Sequence, residues 1–362
     1  MRAPFFGALV LAAIAVTSAS TRAAHAETPP NAWDAAKTPG MREAWVLHVR
    51  VERMLNRSHN DDEVVADPRL DAELRLEAAR SMLEEADAAH SADVRLRYDL
   101  GLVYYELGER QGRTDLYQKA VDLMAPAVDA HPDDPATTVA LSSLVYAYAK
   151  LNRPKEELAT WRRYIPRLVD DSSRVVAMMN MGEAEMRLGY VDDALGTFRE
   201  VMRICGTLPN TTGVGSTYVL ALWDLAVALD RSGDPRQALT SASGAARIAV
   251  IGSTGRVMTG GELIAHDPGV FFVPDWERQW YLALLATAEA REAKDARDAA
   301  GYWAEAERSW TTYVEKCAAD GTQDTFLRIA RVRLAQAQKN RRIAAAAVAK
   351  LPARRLLPRI VP

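Results

Sequence analysis

Residues able to do chemistry are few in this chain and widely separated. Its 362 residues include 6 His and 2 Cys. His48, His59 and His90 lie in one stretch, but no two of them stand at the i, i+4 spacing that would bring two imidazoles to one metal. No metal is expected there. H-E-x-x-H, G-x-S-x-G and C-x-x-C do not occur, so the usual signatures of zinc hydrolysis, acyl transfer and dithiol exchange are missing. The pairs Asp61-Asp62, Asp133-Asp134 and Asp192-Asp193 fall at turns or helix starts, where carboxylates cap orphan N–H groups and face the positive end of the helix dipole. His266-Asp267 is the pairing best suited to acid-base work. It lies in the glycine-rich stretch 251–275, where Gly252, Gly255, Gly260, Gly261 and Gly269 suggest a phosphate loop without supplying the G-x-x-x-x-G-K-[ST] pattern. The chain therefore reads as a non-enzyme with no cofactor, and an active site built in 251–275 is the alternative.

The elements around these residues are more informative. Residues 175–205 read as a helix-turn-helix unit: Gly182 sits inside the first helix, Gly189 ends it, and Ala194, Phe198 and Val201 form one face of the second. The marks recur at the same offsets. Ala226, Gly233, Ala238, Ala242 and Ala245 repeat all five, while Val145, Asn152, Trp161 and Tyr164 repeat all but the small residue, where Glu157 stands. Gly101, Gly108, Ala120, Met124 and Ala127 form a further copy with seven extra residues in its turn, closed by Pro132. Ala306, Trp310 and Tyr313 restate the second helix once more, after a first helix without a clear glycine.

On these residues the chain resembles the tetratricopeptide-repeat family, most directly through Leu100, Gly101, Tyr104, Gly108 and Pro132 and through Gly182, Gly189, Ala194 and Phe198. The likeness spans 92–320, with unit starts 44, 37 and 44 residues apart against about 34 in the family. It implies an all-α, right-handed α-α superhelical solenoid of about five such repeats. It also implies a groove lined by first helices, which would place Tyr98, Tyr105, Tyr146, Met179, Asn180, Met186, Trp223 and Asp224 toward a bound peptide or helix. Burial between repeats is the competing expectation for each.

The ends of the chain are unlike its body. Residues 1–26 carry Arg2, an apolar run from Phe5 to Val16 and an Ala24-His25-Ala26 cleavage pattern, which is the layout of a secretory signal. Residues 27–40 form a Pro-bearing leader, and 41–91 read as a degenerate helical pair with Trp45, Val49 and Leu55 on its first helix and Leu76, Ala79, Leu83 and Ala86 on one face of its second. Connections are expected at 207–216, around the sequon Asn210-Thr211-Thr212, and at 251–275. The latter is drawn as a hairpin turning at Gly260-Gly261, with Val270 to Val273 laid on a repeat. Residues 321–362 read as a capping helix followed by a basic, proline-containing tail. Between 27 and 324 there are 33 basic and 48 acidic residues, whereas 325–362 holds 10 basic and no acidic ones. That tail could meet anionic lipid, an acidic partner or the protein's own acidic body, or remain solvated.

Nucleic acid is not an expected partner of an acidic exported chain, and no span beyond the signal is expected to cross a membrane. Cys205 and Cys317, two repeats apart, should lie beyond the ~7 Å reach of a disulfide. The resulting expectation is a periplasmic interaction scaffold that binds a peptide or helix of an envelope complex serving motility, secretion or cell-wall assembly. A self-assembling subunit docked through its basic tail is the other non-enzymatic reading.

Overall fold

The computed structural model describes residues 41–60, 68–209, 212–320 and 324–351. The signal-like segment, the leader, the acidic turn around Asp61-Asp62, Asn210 and the proline-containing tail beyond 351 lie outside them. Fourteen helices and one two-stranded hairpin make up the described residues, so the chain is all-α in class and helices adjacent in sequence pack on one another. It divides into two compact units, the first ending at Thr217 and the second beginning at Tyr218.

The first unit contains α1 (Met41–Asn60), α2 (Pro68–Glu85), α3 (Val94–Gln111), α4 (Thr114–Ala130), α5 (Thr137–Lys150), α6 (Pro154–Tyr164), α7 (Asp171–Arg187) and α8 (Val191–Cys205). Local chemistry sets their limits. Asp93 caps α3 by accepting from Arg95 N, Asp170 caps α7 by accepting from Ser173 N, and Pro154 opens α6 where no intrahelical N–H is required. Asn152 at φ 52° and Gly189 at φ 80° turn the chain between the paired helices. The recurring small residue in the first helix is a seat for the second: a Cβ on Gly182 would lie 2.5 Å from Phe198 Cε1, and one on Gly101 would lie 2.3 Å from Met124 Cγ. Phe198 and Met124 are fully buried. The repeated offsets thus correspond to a real contact, and the unit is a stack of helical hairpins.

Two expectations are corrected here. Gly108 does not end its helix; α3 continues to Gln111 and turns at Gly112, φ 64°. Much of the seven-residue excess becomes extra helix, and Gly108 instead accommodates the Tyr117 ring, whose Cε1 a Cβ would approach to 2.8 Å. In the amino-terminal pair, Leu76, Ala79 and Leu83 are buried as expected, but α2 stops at Glu85 and Ala86 is exposed. The left-handed Asp87, φ 50°, redirects the chain just after it.

The second unit takes in most of α9 (Thr212–Ser232), then α10 (Pro235–Arg247), β1 (Ala249–Ile251), β2 (Val257–Thr259), α11 (Gly260–His266), α12 (Arg278–Glu292), α13 (Ala296–Asp320) and α14 (Asp324–Ala349). The expected connection at 207–216 is half helix, because α9 begins at Thr212 and buries Val214. Helix α9 is also long and apolar enough between Gly213 and Ser232 to cross a membrane, which corrects the expectation that the body contains no such run. Its Trp223, Asp224, Asp230 and Arg231 are packed inside the protein, as in the core helix of a folded domain. Ala306, Trp310 and Tyr313 of α13 are buried at the offsets read from sequence.

The insertion is a hairpin, but with a different turn. Ala249 pairs with Thr259 and Ile251 with Val257, so the chain reverses through 252–256, where Gly255 takes φ 75°. Gly260 and Gly261 instead open α11, which Thr259 and Glu262 close with a reciprocal capping box. Gly260 is there for proximity: an added Cβ would stand 2.1 Å from the Ala245 carbonyl oxygen.

Candidate partner-binding wall

The first helices of the first unit are joined side to side by polar contacts. His48 Nδ1 of α1 lies 2.7 Å from Asp99 Oδ2 of α3. Tyr98 and Thr137 share a hydrogen bond between hydroxyls at 3.0 Å, Lys150 Nζ of α5 meets Glu109 of α3 at 3.0 Å, and Asn180 Nδ2 of α7 donates to Tyr146 Oη of α5 at 3.3 Å. Arg187 of α7 also pairs with Glu157 of α6, which accepts from the Trp161 indole N–H as well. These contacts set the register of successive hairpins, since a hydrogen bond is satisfied at one offset and lost one residue away.

Seven of the eight residues expected on the groove wall are corrected by their burial. Tyr98, Tyr105, Met179, Asn180, Met186, Trp223 and Asp224 are all less than 9% exposed. Tyr98 and Asn180 bond to a neighbouring first helix, and the Tyr105 ring packs against Tyr117 of α4. The structure links Tyr98, Tyr146 and Asn180 into one ladder within the first unit. It places Trp223 and Asp224 in the second unit, where the Trp223 indole N–H donates to Gly260 O at 3.0 Å and Asp224 Oδ1 accepts from Tyr281 Oη at 2.7 Å. Burial raises the Asp224 pKa to about 7.

Tyr146 remains half-buried, and it marks the accessible wall. On α5, Val139 and Lys150 stand seven before and four after it, on the same helical face. Val139 is 41% exposed. On α7, Val176, Glu183 and Arg187 repeat that spacing, and the Glu183 charge helps burial raise the Tyr146 pKa. Sequence reasoning missed Val139, Val176, Glu183 and Lys150. The signal was the i, i+7, i+11 row through Tyr146, which runs along the same face as the buried positions.

Glu106 of α3 is buried and has its pKa raised from 4.5 to about 7 by burial, Arg110 opposing the shift and Glu109 adding to it. In the second unit a separate ionic core surrounds Arg231. Its guanidinium pairs with Glu277, lies 3.4 Å from Tyr313 Oη, and stacks 4.5 Å from the Trp280 and 4.3 Å from the Phe326 ring centroid. Neighbouring Asp230 accepts from Arg333 at 2.8 Å and from the Trp280 indole at 3.1 Å.

The pairing considered for acid-base chemistry is not made. His266 is exposed, whereas the buried Asp267 accepts from Ser253 N at 2.8 Å, Ser253 Oγ at 2.5 Å and Gly269 N at 2.6 Å. Its carboxylate braces the loop. Among the described residues no group of three or more His, Cys, Asp or Glu is placed to hold a metal ion. Cys205 and Cys317 are both buried, one in each unit.

No protein-family model and no curated protein matches the chain. Among solved structures it is similar to a Rap protein complexed with competence and sporulation factor, at 12% identity and a TM-score of 0.38, covering 87% of this chain and 78% of that one.

Proposed function

We propose that the protein is a non-enzymatic scaffold that receives a peptide or helix of a protein partner on the half-open row running from α5 to α7. The observation carrying this reading is the row itself. Val139 and Val176 offer apolar contact and Tyr146 an aromatic face, on helices whose register is pinned from beneath by the Asn180–Tyr146 and Lys150–Glu109 contacts. A wall fixed before the partner arrives has little ordering entropy left to lose on binding. The composition of 1–26 supports export, so the partner is sought among envelope proteins; finding the mature protein in the cytoplasm, with its first 26 residues retained, contradicts that part.

Site-specific photo-crosslinking in the source cells tests the surface. Probes at Val139 and Val176 should capture one common partner, the outward-facing Gln118 should not, and Tyr146→Ala should reduce capture at least tenfold. Equal capture from Gln118, or capture unaffected by Tyr146→Ala, overturns the assignment.

A further inference from the structure

Helix α14 has two chemically distinct sides. Its inner side buries Phe326, Leu327, Ala330 and Ala337, and two of its cations are paired: the half-buried Arg333 with Asp230, and the exposed Arg341 with Glu307 at 2.8 Å. The outer side carries Arg328, Arg331, Lys339 and Arg342, and Lys350 follows in the turn just past its end; all five are exposed, and none has a carboxylate partner among the described residues. At 3.6 residues per turn the four helical cations fall within an arc of about 80°, and at 1.5 Å per residue they extend over about 21 Å. Val332 and Ile343, 58% and 60% exposed, flank the arc on one edge. The helix contains no acidic residue after Asp324.

We propose that this ridge docks the protein along an anionic lipid bilayer. Four like charges held in line on a rigid helix, with a fifth at its end, lose free energy to mutual repulsion unless an extended surface of opposite sign neutralises them together. A planar array of acidic headgroups matches that length and straightness. The two aliphatic side chains at the edge of the arc can enter the headgroup boundary, where a purely ionic protein partner would leave them without a function. The acidic body of a second copy is the competing occupant. It predicts salt-sensitive self-association in place of vesicle binding.

The test is co-sedimentation of the purified protein with vesicles of phosphatidylcholine alone and of phosphatidylcholine mixed with phosphatidylglycerol. The expected result is binding only to the mixed vesicles, weakening steeply with added salt. Each cation near such a surface contributes about fivefold in partitioning, so replacing all five with Gln should reduce it by roughly three-thousandfold. V332S/I343S should give a smaller, salt-independent loss. Free inorganic phosphate at matched ionic strength should not compete, which separates a bilayer from a simple phosphate site. The proposal is overturned by equal binding to neutral vesicles, by no binding to anionic ones, by a five-Gln variant that binds like the parent, or by a salt-sensitive dimer in vesicle-free solution that the five-Gln substitution abolishes.

Discussion

Two buried carboxyls carry most of what can be said about pH. Glu106 and Asp224 both have pKa values raised to about 7 by burial, so the native state keeps protons that the unfolded chain releases near pH 4. Their contribution to stability is fully present below the unfolded values and is lost as pH rises through about 7. The wild-type protein should therefore unfold more easily at pH 8 than at pH 5. Glu106→Gln removes one of the two protons from this balance and should raise stability at pH 8 by about 3 kcal/mol while changing little at pH 5. Urea titrations at the two pH values decide it; a gain of the same size at both would mean that the carboxyl does not titrate as described. Asp224→Asn, which keeps an acceptor for Tyr281 Oη, should act in the same direction.

At the scale of the element, the repeats depend on the close approach of paired helices. Gly182→Ala puts a methyl group 2.5 Å from a fully buried aromatic ring, and overpacking of this kind costs about 1–3 kcal/mol. Gly196 lies on the exposed side of α8 with nothing within 4 Å of an added Cβ, so Gly196→Ala should stabilise by about 0.5–1 kcal/mol through helix propensity alone. Opposite shifts of the two denaturation midpoints would confirm the packing account, and shifts of one sign would refute it. The insertion depends on Asp267 rather than on a turn. Asp267→Ala leaves three donors without their acceptor at about 1–3 kcal/mol per buried group, and amide exchange should accelerate at Ser253 and Gly269 before anywhere else. Unchanged protection there would mean that the loop is held by its backbone bonds.

For the whole molecule, the two compact units hold different kinds of interior. The first buries the Arg187–Glu157 pair and the carboxyl of Glu106 beside its apolar core, whereas the second encloses the Arg231 cluster. Removing one member of a buried ion pair costs about 3–5 kcal/mol because the other is left charged and desolvated. Arg231→Gln should therefore lower stability by about that amount, and hydrogen exchange should place the lost protection within 218–351, where all of its partners lie. A loss spread evenly over both units would show that this cluster is not a local core. Charge is divided along the chain as well: the acidic body and the basic end nearly cancel, and the net charge of -3 conceals both.

The sequence by itself determined that the chain is helical, how its hairpins pair, and which small residues seat which large ones. Those properties follow from spacing along one helix and between two consecutive ones, and Gly182 with Phe198 is legible without coordinates for that reason. Tertiary structure decided which row of a first helix is accessible. Met179 and Asn180 stand four and three residues before the half-buried Glu183 on the same helical face, so spacing along the helix does not distinguish them, and the packing of neighbouring hairpins determines which of these positions is covered. It also decided the turn of the insertion, because Gly260 is required by the Ala245 carbonyl pressed against it and not by a change of chain direction. The Arg231 cluster lay beyond sequence reasoning for the same reason, since its members come from four helices and a short 3₁₀ turn and meet only after those elements have packed.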